Sequence, residues 1–289
     1  MREFRLIAVC MAPALILLLF LVAAVGWAFY ASLTNIALVG RTARSPEFVG
    51  LRNYVRIFND PAFFNSLNIS FIYTTGSALI GQFLLGLFLA ILLKQKGIKL
   101  KSAAAAAVVL SWVIPDIVGV YIWGAFTASG GMLNTILGIF GLPARSWLGE
   151  MPLATVIIAN IWKGTAFSMI LFSSALETIP LTLYEAADVD GASSWQKLKF
   201  ITLPMITPTM LVDLILITMW TFGYFTLVYG LTGGGPGRLT EVFPVFIYNQ
   251  SFLHYKIGYG AALSFVMTVI VGSACLLYLI LLQRVERMR

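Results

Sequence analysis

The sequence is poor in the residues on which soluble folds and metal sites depend. Charged side chains make up 11% of the 289 residues, whereas a soluble domain carries about 25%. There are two cysteines and one histidine. Because Cys10 and Cys275 both lie in apolar segments, we expect neither a disulfide nor a metal site. His254 lies in a polar interval and is interpreted as a solvated residue near the membrane interface.

The sequence also lacks a nucleotide-binding loop. No glycine-rich segment ends in Lys-Ser or Lys-Thr, the pattern that cradles phosphates, so the chain is not expected to hydrolyse ATP itself. The formal net charge is +7. In a chain this apolar, excess positive charge is expected to mark the cytoplasmic side of a membrane and not a nucleic-acid partner.

Long apolar segments dominate the rest of the chain, which is 60% hydrophobic with a mean hydropathy of +0.91. A helix needs about 20 apolar residues to cross a bilayer. Six stretches qualify: 6–33, 66–93, 102–127, 152–176, 205–231 and 257–283. The first is interpreted as a retained anchor, because it is too long for a signal-peptide core, and the third is interrupted by Pro115 and Asp116. The prediction is an all-α membrane protein whose residues 1–289 form a single transmembrane domain with six transmembrane helices.

The basic residues orient these segments. If both termini are inside, eleven of them fall in inner segments: Arg2, Arg5, Lys94, Lys96, Lys99, Lys101, Lys197, Lys199, Arg284, Arg287 and Arg289. Seven fall in the outer segments, which are longer in total: Arg41, Arg44, Arg52, Arg56, Arg145, Arg238 and Lys256. Because basic residues concentrate on the cytoplasmic side, a multi-pass protein with both termini in the cytoplasm is predicted.

The longest polar interval on the predicted inner side is 183–204, with the sequence LYEAADVDGASSWQKLKFITLP. Its pattern predicts a helix, a turn and a second helix. Two pairs have the spacing of capping boxes: Thr182 with Glu185, and Ser193 with Gln196. Gly191 suits a turn of positive φ. Pro180 and Pro204 are expected to bracket the unit, because proline cannot continue a helix interior.

This interval is longer than a connector requires, since most links between elements need only a few residues. Ala186 and Ala187 leave one helical surface nearly bare, which would let another protein approach closely. The interval is therefore predicted to dock on a partner. The alternative is that Glu185 only caps a helix and that the interval only joins two spans.

Three ionisable side chains lie inside predicted spans, where charge is costly and usually faces the bundle interior. Asp116 and Lys163 lie in the middle of consecutive segments and could pair, either within a substrate site or as a structural ion pair. Asp213 lies nearer the inner end of its span and is interpreted as part of a structural ion pair.

Side chains suited to a sugar surround these positions, because they offer flat aromatic faces, amides and hydroxyls. They are Trp112 in the third span; Asn160, Gly164 and Phe167 on one helical face with the lysine of the fourth span; and Thr221 and Tyr224 one turn apart in the fifth. The alternative interpretation is ordinary helix packing with interfacial aromatic residues.

Three segments resemble a known family. The spacing of Glu185-Ala186-Ala187, Gly191, Ile201-x-Leu203-Pro204 resembles the EAA motif of membrane subunits in bacterial binding-protein-dependent ABC importers. Residues 231–236 (LTGGGP) and 48–67 resemble sugar-importer permeases of the maltose and glycerol-phosphate type. The resemblance runs from residue 48 to the C-terminus. It implies the type I ABC importer permease fold, with six spans and cytoplasmic coupling helices at 183–204.

In that family the EAA loop docks on a cytoplasmic ATPase. The resemblance therefore implies a coupling role for Glu185, Ala186, Ala187, Asp190, Gly191, Ile201, Leu203 and Pro204. LTGGGP implies the first-type subunit of a permease heterodimer. The implied partners are a second permease, two copies of the ATPase, an extracytoplasmic solute-binding protein and the lipid of a bacterial-type inner membrane. ATP and Mg would bind the ATPase, and no cofactor would bind this chain.

The resemblance also implies a sugar site. Ungapped alignment on the EAA and LTGGGP motifs, and on the proline of the third span, puts the family's sugar contacts on Trp112, Asp116, Asn160, Lys163, Gly164, Phe167, Ile217 and Thr221. Tyr224 is added by its position one turn beyond the last of these. Asn160 and Gly164 keep the family's residue types. Four positions depart from the family's residue types: Asp116, Lys163, Ile217 and Thr221. The charged pair among them leaves room for a sugar other than maltose or for a charged sugar.

Three alternatives stay open at this level. An importer permease for a non-sugar solute would share the coupling motif. An ATPase-independent secondary transporter would often show paired broken helices in its two halves, and no such duplication is evident in the sequence. An intramembrane enzyme would need a catalytic constellation, and His254 has no recognisable partner.

Overall fold

The computed structural model describes residues 2–95 and 100–287. Over this range the regular elements are helices, apart from an isolated bridge between Thr34 and Phe48. Three of the basic residues assigned above to the inner side lie outside the described residues: Lys96, Lys99 and Arg289. For Arg2, Arg5 and Cys10 the structure describes the backbone alone. The predicted all-α class is confirmed.

In chain order the helices are α1 Arg2–Ser32, α2 Arg41–Arg44, α3 Arg52–Phe58, α4 Pro61–Thr74, π1 Thr75–Gln82, α5 Phe83–Lys94, α6 Lys101–Val113, α7 Asp116–Thr127, α8 Met132–Ile139, α9 Trp147–Glu150, α10 Pro152–Glu177, α11 Leu181–Val189, α12 Ser194–Lys197, π2 Leu198–Thr202, α13 Leu203–Phe222, α14 Thr226–Thr232, α15 Phe243–Tyr248, π3 Asn249–Leu253 and α16 Ile257–Arg287. The three π segments each lie directly against an α-helix of the same run.

The described residues contain helices that match the predicted membrane crossings in length and composition. Five helices are long and apolar enough to cross a bilayer: Met11–Ser32, Pro61–Lys94, Pro152–Glu177, Ser194–Thr232 and Ile257–Arg284. The sixth predicted crossing corresponds to a bent pair, Lys101–Val113 with Asp116–Ile139, whose two parts meet at 108° and are long and apolar enough only when taken together. Pro115 causes the break, because it disfavours helical backbone at Ile114 and has no N–H to donate. The bend is sharper than a simple interruption of a span.

The chain divides into two compact units. The first comprises Met1–Phe64 and Phe246–Val269, and the second comprises Asn65–Val245 and Ile270–Arg289. Within the first unit, the Asn53 amide donates hydrogen bonds of 2.8 Å to the carbonyls of Ser32 and Thr34. These bonds hold α3 against the end of α1.

Helix α10 is the central element of the second unit. It packs against α5, π1, α6, α13 and α14. In its most apolar stretch of 18 residues 56% are buried, compared with 6% in the corresponding stretch of Met11–Ser32. Protein surrounds it, and for this reason it can carry polar side chains at membrane depth. Asn160, Lys163 and Ser168 are all buried on this helix.

Candidate functional site

A cavity of about 330 Å³ lies in the second unit beside α10. Its lining contains all nine residues that the sequence predicted as a sugar site: Trp112, Asp116, Asn160, Lys163, Gly164, Phe167, Ile217, Thr221 and Tyr224. Two further lining residues, Gln82 and Trp220, were missed. Gln82 lies in a span without any recognisable motif, so the sequence did not indicate it. Trp220 could have been predicted, because it is the neighbour of Thr221 in the sequence.

Aromatic rings form one wall of this cavity. The ring centroid of Phe167 lies 4.8 Å from that of Trp220 and 5.9 Å from that of Trp112. Both tryptophans remain about half exposed, at 45% for Trp112 and 47% for Trp220. The wall therefore offers broad, flat apolar faces of the kind that pack against a sugar ring.

Two buried amides are held in place next to this wall. Gln82 Nε2 donates to the Asn160 carbonyl at 3.1 Å, and Asn160 Nδ2 donates to Ser77 Oγ at 2.9 Å. Gln82 is the last residue of π1, and π segments occur often at functional sites. Gly164 makes room for it, because a Cβ there would lie 2.3 Å from Gln82 Cδ. The orientation of both amides is therefore set by their neighbours.

The predicted pairing of Asp116 with Lys163 is present. Lys163 Nζ lies 3.2 Å from Asp116 Oδ1. It also donates to the carbonyl of Trp112 at 3.2 Å and to that of Ile114. These carbonyls lose their helical partners where α6 ends before Pro115. The lysine thus closes the break in the third span, and the aspartate begins the helix beyond it.

The interpretation of Asp213 as part of an ion pair is wrong. Its Oδ2 accepts a 3.0 Å hydrogen bond from Ser168 Oγ, and within the described part of the chain Oδ1 has no hydrogen-bond partner. The cation of the neighbouring helix, Lys163, is already engaged by Asp116 and by backbone carbonyls. Asp213 is fully buried and does not line the cavity.

The polar interval 183–204 forms the predicted helix, turn and helix. Gly191 has φ +74°, and its N–H donates to the Asp188 carbonyl at 3.1 Å. The N–H of Ala192 donates to the Ala187 carbonyl at 2.8 Å. This pair of bonds is the Schellman ending of a helix. A Lys197–Asp188 ion pair joins the two helices across the turn.

Only one of the two predicted capping boxes forms. Ser193 Oγ accepts from the Gln196 N–H at 3.3 Å, and the Gln196 side chain accepts from the Ser193 N–H at 2.7 Å. The box at Thr182 and Glu185 is wrong, because α11 begins directly after Pro180 without a side-chain cap. Thr182 therefore lies inside the first turn, and Glu185 is an exposed residue of the helix body.

Pro204 does not end the unit, contrary to the prediction. The helix runs without interruption from α12 through π2 into α13, and Pro204 is the second residue of α13. The altered hydrogen-bond register of π2 precedes it directly, so its missing N–H is tolerated in the first turn. The second helix of the interval is consequently continuous with the fifth span.

The predicted coupling residues divide into two groups. Five are exposed at the surface: Glu185, Ala186, Asp190, Gly191 and Pro204. Ala187, Ile201 and Leu203 are half-buried, and Ile201 packs against the core around Phe172. The sequence prediction missed two exposed apolar side chains of the same surface, Val189 at 88% and Trp195 at 68%. Both could have been predicted from the sequence, because one apolar residue lies on each side of the turn at Gly191.

Lys94 connects this interval to the spans. Its Nζ donates to the Leu176 carbonyl near the end of α10 at 2.8 Å and lies 5.0 Å from the centre of the Tyr184 ring. The Tyr184 hydroxyl in turn lies 2.9 Å from Thr202 Oγ1. The end of α5, the end of α10 and both helices of the interval therefore meet at one cation.

Comparison with known proteins places these features in context. A family model described as "Binding-protein-dependent transport system inner membrane component" matches residues 82–288. The trehalose/maltose transport system permease protein MalF of Thermococcus litoralis is 37% identical over 238 residues, which cover 80% of this chain and 79% of that protein. The sulfoquinovosyl glycerol transport system permease protein SmoG of Agrobacterium fabrum is 32% identical over 284 residues, which cover 95% of this chain and 90% of that protein.

The fold also matches a solved structure. A chain of a bacterial ABC transporter involved in the import of the acidic polysaccharide alginate superimposes with a TM-score of 0.83 at 23% sequence identity. The match covers 98% of this chain and 96% of that chain. At this identity the likeness concerns the fold.

Proposed function

Because this chain belongs to the binding-protein-dependent transport system inner membrane component family, we propose that it is the first-type permease subunit of an ATP-driven sugar importer. It contributes half of a membrane path, and a cytoplasmic ATPase supplies the energy. The relatives named for trehalose, maltose and sulfoquinovosyl glycerol support a carbohydrate as the transported solute.

The observation that carries the sugar assignment is the composition of the cavity beside α10. The aromatic rings of Trp112, Phe167 and Trp220 line this cavity together with the amide of Gln82 and the hydroxyl of Thr221. Ligand sites combine apolar walls with a small number of fixed polar groups. A saccharide, with an apolar ring face and a rim of hydroxyls, suits this combination. A non-sugar solute is the second candidate, since the family membership alone is compatible with it.

The interval 183–204 is proposed to transmit motion from the ATPase. Its exposed residues, including Val189 and Trp195, form the docking face. The Schellman turn and the capping box keep the two helices in a fixed relation. Since α12, π2 and α13 form one continuous helix, a push on the docking face moves Ile217 and Thr221 in the cavity lining as well.

The assembly is proposed to contain a second permease, two copies of the ATPase and an extracytoplasmic solute-binding protein, in a bacterial-type inner membrane. ATP and Mg would bind in the ATPase. Both termini of this chain would lie in the cytoplasm. This orientation is supported by the excess of basic residues in the segments that share a side with residues 183–204.

The coupling role is tested by replacing Glu185 with Ala and Gly191 with Ala. We expect sugar uptake in cells to fall to background while the protein remains in the membrane at normal amounts. Glu177→Gln is the control for the charge. Gly141→Ala is the control for the glycine, because its φ of +71° and the open space around it match those of Gly191. Normal uptake by the Glu185 and Gly191 variants would exclude the coupling role.

The solute class is tested with the complete importer reconstituted in proteoliposomes. We expect ATP-dependent accumulation of a labelled mono- or oligosaccharide from a panel that also contains amino acids and inorganic anions. If only a non-carbohydrate accumulated, that compound and not a sugar would be the transported solute. Accumulation without the ATPase would instead indicate a secondary transporter.

A further inference from the structure

Family membership leaves the charge of the sugar open, whereas the cavity contains one cation and one anion among its lining residues, Lys163 and Asp116. We propose that Asp116 is a specificity-determining residue that makes this site select neutral saccharides over acidic ones. This inference rests on the proposed function. The two charges differ in how far each is exposed to a bound sugar.

The ammonium of Lys163 is bonded to other protein groups and is little exposed. Lys163 Nζ has three acceptors, the carbonyls of Trp112 and Ile114 and the carboxylate of Asp116. An ammonium carries three N–H donors, so these acceptors account for its full donor capacity. The lysine side chain is 10% exposed. An acidic sugar would have to displace a backbone carbonyl or the aspartate to reach it.

The anion faces the cavity. The side chain of Asp116 is 38% exposed, nearly four times the fraction of its partner. One of its oxygens, Oδ1, is the atom that lies 3.2 Å from the lysine. The Tyr224 hydroxyl lies beside this carboxylate, although no hydrogen bond of ordinary geometry joins them. A carboxylate accepts hydrogen bonds only, so it suits the hydroxyl of a neutral sugar and repels a second carboxylate.

The other polar lining groups are uncharged. Gln82, Asn160 and Thr221 are each at most 4% exposed, and the Gln82 and Asn160 side chains already donate within the protein. They add hydrogen-bonding capacity without a counter-charge for an acidic sugar. Among the described residues that line the cavity, the accessible charge therefore has the same sign as a uronate.

The test uses the purified permease–ATPase complex in nanodiscs without the solute-binding protein, whose own selectivity would otherwise mask the cavity. Isothermal titration compares trehalose and maltose with their uronic acid counterparts, in which one hydroxymethyl group is a carboxylate. We expect the acids to bind at least about tenfold more weakly, since like charges placed next to each other repel and disfavour binding.

Asp116→Asn is expected to remove most of this discrimination, and Asp116→Glu is expected to keep it. Glu177→Gln, which removes an exposed charge outside the cavity, is the control and should bind like the wild type. If the Asp116→Asn protein does not accumulate in the membrane, the wild type and Asp116→Glu still test the inference. The quantity compared is the ratio of neutral to acidic saccharide binding in each protein.

Equal binding of neutral and acidic probes by the wild type would overturn this inference and leave the importer assignment intact. An unchanged ratio in a folded Asp116→Asn complex would overturn it as well. If neither the two disaccharides nor their acids bound, the selectivity inference would fail, whereas the accumulation panel described above would still decide the sugar assignment.

Discussion

At the scale of single residues, close packing around α10 determines the shape of the cavity. Gly164 and Gln82 occupy one space, because a Cβ on the glycine would lie within 2.3 Å of the glutamine amide. That amide also holds the Asn160 carbonyl. The absence of a side chain at position 164 is therefore what allows π1 to bring a polar group to the cavity.

We expect Gly164→Ala to destabilise the protein by about 1–3 kcal/mol, the usual cost of overpacking a filled site, and to weaken sugar binding by displacing Gln82. The measurement is the thermal unfolding midpoint in detergent together with the titration described above. Gly124→Ala is the matched control, because a Cβ at this second helical glycine has no neighbour within 4 Å. Equal midpoints for the two variants would contradict the packing argument.

Lys163 stabilises the broken span through three contacts, and its removal leaves Asp116 and two carbonyls without that partner. Breaking a buried ion pair from one side costs roughly 3–5 kcal/mol, and the cost here is reduced because Asp116 is 38% exposed. We expect Lys163→Met to lower the unfolding midpoint more than Asp116→Asn does. The double variant should recover part of the loss, because it no longer contains an unpaired carboxylate. Strict additivity in this cycle would show that the two residues act independently.

At the scale of elements, the ends of α5 and α10 and residues 183–204, the proposed coupling interval, meet at Lys94. The lysine caps the Leu176 carbonyl and lies over the Tyr184 ring. Helix α5 continues from π1, which carries Gln82. In the proposed mechanism, a movement of residues 183–204 therefore reaches the cavity through the second span as well as through the fifth.

We expect Lys94→Met to reduce transport several-fold while the protein remains in the membrane, because the interval loses its contact with α5 and with the end of α10. Lys94→Arg should keep most of the activity, since a guanidinium can donate to the same carbonyl and stack on the same ring. Lys101→Met is the control for a neighbouring exposed lysine. Uptake and ATP hydrolysis are measured together in proteoliposomes. Unchanged coupling of the two in Lys94→Met would refute this link.

At the scale of the whole molecule, the spans determine which segments share a side of the membrane. One crossing, Pro152–Glu177, separates residue 141 from residue 192. The two positions must therefore lie on opposite sides. The proposed orientation, which rests on the basic residues of the inner segments, puts the second of them on the cytoplasmic side.

This orientation predicts the labelling of single cysteines in a background from which Cys10 and Cys275 have been removed. Gly141→Cys should react with a membrane-impermeant maleimide in intact cells or spheroplasts. Ala192→Cys should react only after permeabilisation, because it lies in the turn of the coupling interval. Labelling of position 192 from outside would reverse the orientation and exclude docking on a cytoplasmic ATPase.

Much of the architecture was predictable because membrane burial acts on each segment separately. Any stretch of about 20 apolar residues is stable as a helix across the bilayer, and the six predicted stretches correspond to the five long helices and the bent pair. The local backbone features of the turn at Gly191 and of the following helix start were also predictable from the sequence. Gly191 adopts the expected positive φ, and the Ser193–Gln196 box forms as its spacing predicts.

Features that depend on two distant segments could not be read in this way. The 108° bend of the third crossing requires Lys163 from another helix to satisfy the carbonyls freed at Pro115. The partner of Asp213 is Ser168 and not a cation, because the nearest buried lysine on α10 is already engaged. Pro204 continues a helix because π2 changes the hydrogen-bond register before it.

The sequence by itself determined the long apolar helices and the helix–turn–helix of residues 183–204, because spacing along one chain decides these. The nine predicted residues around the cavity followed in part from spacing and in part from the resemblance to a known family. Only the tertiary structure decided that Gln82 and Trp220 complete the lining, and that the cavity presents the carboxylate of Asp116 and hides the ammonium of Lys163. Relative exposure of two charges depends on what packs around each of them, and no single segment contains that information.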